Sequence, residues 1–156
     1  MILKKQNGAS AVEFAILLPF LVLLVFGIID FGLLMYNQQV LTNASREGAR
    51  AAIVGDCATR LDDTTTSGIG KIVQDYCASR LITFASTNNP PTTVVTPNDS
   101  DRSCGSPPVD TGANLTVRVT YDYRFLMPSI FGFPTNATKT LAAQTVMRME
   151  SDETGS

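Results

Sequence analysis

From Phe14 to Tyr36 the chain is apolar or small at almost every position, and Asp30 is its single charge. Twenty-three residues of α-helix rise roughly 34 Å, enough to cross a hydrocarbon core of about 30 Å. The helical pattern then changes character without stopping. Tyr36, Val40, Ala44, Gly48 and Ala52 recur every four residues, and Leu41 and Ala51 widen the stripe. Asn37, Gln38, Gln39, Arg46, Glu47 and Arg50 fall on the other faces. An amphipathic stripe of this kind predicts a helix packed against a core. The expectation is one continuous helix from about Ala9 to Val54, half in lipid and half on a folded head, with Gly55-Asp56 as its stop.

The remaining pattern predicts a small α+β head. Residues 59–68 read as loop. Ile69, Ile72, Val73 and Tyr76 sit at helical spacing, which predicts a second helix over about Ser67 to Ala85, broken by Asn88-Asn89-Pro90-Pro91. A short strand is expected at Thr92 to Thr96, then loop over 98–112. Leu115, Val117, Val119, Tyr121, Tyr123 and Phe125 alternate with Thr116, Arg118, Thr120, Asp122 and Arg124, the period of a half-buried strand. A second alternation follows at Leu141, Ala143, Thr145, Met147 and Met149, with Gln144, Arg148 and Glu150 opposite. The two strands should pair antiparallel, giving a sheet of two to three strands with its apolar face on the long helix. The link from Leu126 to Pro134 is apolar for a loop, and either folds back on the core or forms an exposed patch. Residues 151–156 should fray.

Two other readings of the apolar run were weighed. A core helix of a soluble protein would be excessive in 156 residues. A cleavable secretory signal would explain Lys4 and Lys5, but its apolar core should span only about 7–15 residues and end at a small-x-small site. The nearest candidate, Thr42-Asn43-Ala44, lies too far along. A retained anchor is favoured. The lysines then hold the N-terminus on the cytoplasmic side, and the head from residue 37 to 156 lies across the membrane, which in a bacterium is the periplasm or the exterior.

Composition narrows the chemistry. Net charge is −2 and no basic block follows Lys4-Lys5, so nucleic acid is not an expected partner. There is no His, which removes the commonest general base and counts against an enzyme. The carboxylate clusters, Asp62-Asp63 and Asp99 with Asp101, fall in loops. Cys57, Cys77 and Cys104 form no CxxC pair, so neither a metal site nor a cofactor is expected. Outside the cytoplasm they allow one disulfide, in any of three pairings, with one thiol left over.

Glu13 opens the apolar run. A charge there is costly and marks function by default; as an ordinary rim residue it would simply reach to water. Gly8-Ala9-Ser10-Ala11-Val12-Glu13-Phe14 resembles the cleavage motif of type IV prepilins. The wider stretch resembles the TadE family of pseudopilins from the tight-adherence (Flp) pilus system: Leu17-Leu18-Pro19, then Phe26-Gly27-Ile28-Ile29-Asp30-Phe31-Gly32, then Asn43-Ala44-Ser45-Arg46-Glu47-Gly48-Ala49-Arg50. The likeness covers about residues 8 to 50. It implies a leader at 1–8, a transmembrane helix at 9–36 and a pilin-like head at 37–156. It also implies a prepilin peptidase cutting between Gly8 and Ala9.

The partners so implied are that peptidase, other pilin-like subunits, the assembly platform and membrane lipid. Glu13 would become the fifth mature residue and Phe14 the sixth. The new amine of Ala9 is positive at neutral pH, and a carboxylate four residues on lies on the same helix face. Paired with such an amine on a neighbouring subunit, Glu13 becomes far cheaper to bury. Pro19 frees the Ala15 carbonyl and should loosen the helix locally. Gly27 and Gly32 thin its surface. Asp30 is expected near the outer boundary, either solvated or in contact with another subunit. The competing reading is a membrane-tethered periplasmic binding or adhesin module that enters no pilus.

Overall fold

The structure, a computed structural model, describes residues 7–54, 67–84, 90–96, 114–126 and 138–148. Among them lie two helices and three strands: α1 (Asn7–Val54), α2 (Gly68–Ala78), β1 (Thr92–Thr96), β2 (Asn114–Arg124) and β3 (Thr138–Arg148). This is the α+β arrangement that the sequence pattern predicts. Several expected features lie outside the described residues: the leader before Asn7, the Gly55-Asp56 stop, Cys57, Cys104, both acidic clusters, Met149 and Glu150, the link beyond Leu126, and the tail.

The sheet is antiparallel throughout, in the order β1-β2-β3. Val119 of β2 faces Thr93 on one side and Ala143 on the other. Alternation puts Leu115, Val117, Val119, Tyr121 and Tyr123 on one buried face, with Val95, Leu141 and Ala143 beside them. α1 and α2 cover that face. Their contribution is Val40, Leu41, Ala44, Ala49 and Ala52 from α1 and Ile69, Val73 and Cys77 from α2.

The two helices meet at Gly48. A Cβ at that position would lie 2.8 Å from Val73 Cγ2 and 3.2 Å from Ile69 Cγ2, so the crossing needs glycine for space rather than for backbone freedom. Gly68 is the converse case. It opens α2 with φ 62, a left-handed conformation that glycine adopts without a Cβ clash.

α2 stops earlier than its apolar spacing suggests. Beyond Ala78 the chain turns, with Leu81 N donating to Cys77 O at 2.8 Å. The cause is Asn37 of α1. Its Nδ2 donates to Ile82 O at 2.8 Å, and its Oδ1 accepts from Ile82 N at 3.0 Å. Ile82 therefore spends both backbone groups on a side chain, and neither remains for another helical turn.

Asn37 also corrects its own placement. It is fully buried in the stripe facing the head, where its polarity had suggested an outer face, and Tyr36 of the expected stripe is exposed. Strand ends shift as well. β3 begins at Thr138 because Thr138, Lys139 and Thr140 pair with Arg124, Tyr123 and Asp122, yet all three are exposed and carry no apolar alternation. β2 ends at Arg124, and Phe125 leaves the strand to stand edge-on against Tyr123 at 5.4 Å.

Candidate functional site

Among the described residues nothing packs on the N-terminal half of α1. From Gly8 to Leu21 every side chain is exposed, Glu13 and Phe14 included, and the most apolar stretch is buried nowhere against the rest of the chain. Val12, Phe14, Phe20, Leu24 and Ile28 are each about 60 % exposed or more. That much apolar surface has no stable place in water, at about 25 cal/mol for each Å² left wet. α1 runs unbroken through Pro19. At Gly8, Gly27 and Gly32 an added Cβ would meet no atom within 4 Å.

α1 first meets the head at Asp30, while Phe31, Met35 and Tyr36 beyond it stay exposed. Asp30 is 5 % exposed. Its Oδ1 accepts from the backbone N–H of Leu126 at 3.0 Å and from the Tyr123 hydroxyl at 3.3 Å. The expectation of a solvated carboxylate is therefore corrected: the head itself takes up the charge. The physical reason is that β2 ends at Arg124, so the Leu126 N–H lies beyond the strand and donates to Asp30 of α1. Burial, then the adjoining Asp30 carboxylate, push the Tyr123 phenol up to about 12. It stays protonated and donates at any ordinary pH.

Further along α1, side chains fix the helix to the sheet. Gln38 Nε2 donates to Ala142 O on β3 at 2.8 Å, and the buried Ser45 shares a 2.8 Å hydrogen bond with Thr145. Arg46, Glu47 and Arg50 are exposed. They line an open groove with Asn43, Tyr76, Thr145 and Met147. Among the described residues no group of His, Cys, Asp and Glu is arranged to hold a metal ion. Cys77 is a buried free thiol, pushed up to about 11 by burial against the smaller opposing effect of Arg80.

Gly8, Ala9, Glu13 and Phe14 thus share one exposed helix end. Asp30 lies elsewhere, in a junction that sequence reasoning credited to water or to another subunit. Tyr123 and Asn37 were read only as strand core and outer surface. The one available signal was the carboxylate at position 30, which in an apolar segment needs donors from its own chain or another.

Among the described residues one helix is long and apolar enough to cross a membrane, and it carries a small α+β head, an arrangement compatible with a single-pass membrane anchor. A family model described as TadE-like protein matches residues 8–50, all within α1. The match links this helix to proteins associated with the tight-adherence pilus. Comparison with curated proteins finds no match, and comparison with solved structures finds none either.

Proposed function

We propose that the protein is a minor pilin or pseudopilin that supports assembly of a tight-adherence pilus, with no catalytic role. A prepilin peptidase removes residues 1–8, and Ala9 becomes the N-terminus. The chain is held in the inner membrane with its N-terminus cytoplasmic and its head periplasmic until assembly. The observation that carries this reading is the wholly unburied helix from Gly8 to Leu21, coincident with the TadE-like match.

Such a helix has two places to go: lipid before assembly, and the apolar flanks of other pilin-like helices afterwards. Glu13 is exposed one turn after Ala9, so the mature amine and the carboxylate lie on one face. In a helix bundle Glu13 neutralises the amine of a neighbour and sets the axial register between subunits. A buried pair of that kind is costly to break from one side, by about 3–5 kcal/mol. Glu13→Ala should therefore leave peptidase cleavage intact and abolish co-purification with pilin-like partners. Unchanged partner recovery and normal pili with Glu13→Ala would refute the pairing role.

A further inference from the structure

We propose that the base of the head is seated in the membrane boundary, with Phe125 and Leu126 against acyl chains and Arg124 and Lys139 among anionic lipid headgroups. The inference rests on α1 spanning a bilayer and adds a second, head-borne membrane contact.

Helix rise sets the depth of Asp30. Glu13 and Asp30 bracket the charge-free part of α1. Seventeen residues separate them, a rise of about 25 Å, against a hydrocarbon thickness of about 30 Å. With Glu13 at one boundary, Asp30 still lies inside the other by a few ångström, and helix tilt draws it deeper. A carboxylate at that depth needs shielding by protein. Asp30 has it: 5 % exposure, the Leu126 N–H at 3.0 Å and the Tyr123 hydroxyl at 3.3 Å.

The 3.0 Å contact also fixes the height of the head, because Leu126 must sit level with Asp30. On the side of α1 turned away from the head, the apolar surface continues past that level. Phe31 is 63 % exposed and Met35 44 %. Tyr36 follows, an aromatic with a polar tip of the kind found at membrane–water boundaries.

The base of the sheet has matching layers. From Phe125 to Thr138 the sequence contains no Asp, Glu, Lys or Arg. Arg124 precedes that stretch and Lys139 follows it; Arg124 faces Thr138 and Tyr123 faces Lys139, so the two cations sit one step apart on neighbouring strands and on opposite faces of the sheet. Asp122, one step higher, accepts from Thr140 Oγ1 at 2.6 Å. Phe125 and Leu126 suit acyl chains, and the long stems of Arg124 and Lys139 let their charged ends reach phosphates above.

The chain has no Trp, so single tryptophans report alone. The full chain is reconstituted in vesicles of phosphatidylcholine with a minor share of phosphatidylglycerol, with or without dibrominated acyl chains. Leu23→Trp reports on the middle of α1, Leu126→Trp on the base, and Val54→Trp on the far end of α1. Thr138→Trp, at an exposed position beside Arg124, is a second base probe should Leu126→Trp misfold. The base probes should lose fluorescence to brominated lipid within about twofold of Leu23→Trp, as both lie near or within the ~30 Å slab. Val54→Trp should be unaffected.

Quenching at Leu23→Trp without quenching at either base probe overturns the seated head and leaves the spanning helix standing. Blue-shifted but unquenched base emission means burial against protein and overturns it too. No quenching at Leu23→Trp removes the spanning helix, and the seated head with it.

Discussion

At the scale of single residues the decisive group is Asp30, a carboxylate whose partners are supplied from 93 and 96 residues away by Tyr123 and Leu126. Removing one partner of a buried hydrogen bond leaves the other unsatisfied and costs about 1–3 kcal/mol. Tyr123→Phe and Asp30→Ala should each destabilise the head by about that much, read from denaturant melts of the full chain in detergent. Asp30→Asn, which keeps an acceptor for Leu126, should lose less. Equal losses for Asp30→Asn and Asp30→Ala would show that the acceptor oxygen contributes nothing. The site also predicts a pH response. Tyr123 moves from 10.0 to about 12 and Cys77 from 9.0 to about 11, so the folded chain holds both protons more tightly than the unfolded chain. Their contribution is complete below about pH 9 and falls as pH rises through the two shifted values. Melting temperature should decline across that alkaline window, and less steeply in Tyr123→Phe. Asp30 was visible in the sequence as an anomaly. Its donors were not, because Tyr123 satisfies the strand alternation as an apolar residue and a backbone N–H leaves no mark in sequence.

At the scale of elements, periodicity identified what burial alone decides. α1, β1 and β2 stand within about two residues of their expected spans, since long apolar stripes and strict alternation are the strongest local signals. The failures occur where one side chain overrides the pattern. α2 ends at Ala78 because Asn37 captures both backbone groups of Ile82, a contact across 45 residues. Thr138 to Thr140 join β3 through pairing alone, with no buried face to announce them. Asn37→Ala leaves Ile82 without its partners. Faster amide exchange at Ile82 and its neighbours is expected, together with a loss of about 1–3 kcal/mol. Exchange unchanged at Ile82 would mean that Asn37 is incidental to the end of α2. Gly8, Glu13 and Phe14 are defined by spacing along one helix and require no tertiary contact, and the structure places them on one exposed helix end.

At the scale of the molecule, one helix serves two environments. Its second half is the spine of the head, held by Val40, Leu41, Ala44 and the Asn37, Gln38 and Ser45 hydrogen bonds. Its first half has no packing partner among the described residues, and the family match falls on α1 rather than on the sheet. The Asp30 junction couples the two halves, so lateral packing of the exposed helix would set the position of the head. That arrangement suits a subunit whose helix is drawn from lipid into a bundle of similar helices. The central claim is that α1 begins, in the working protein, at Ala9. Its most direct test is the intact mass of the full chain co-expressed with a tight-adherence prepilin peptidase. Loss of residues 1–8, leaving Ala9 as the N-terminus, is the expected result; an unprocessed chain, or a cut near Ala44, would rule the pilin reading out.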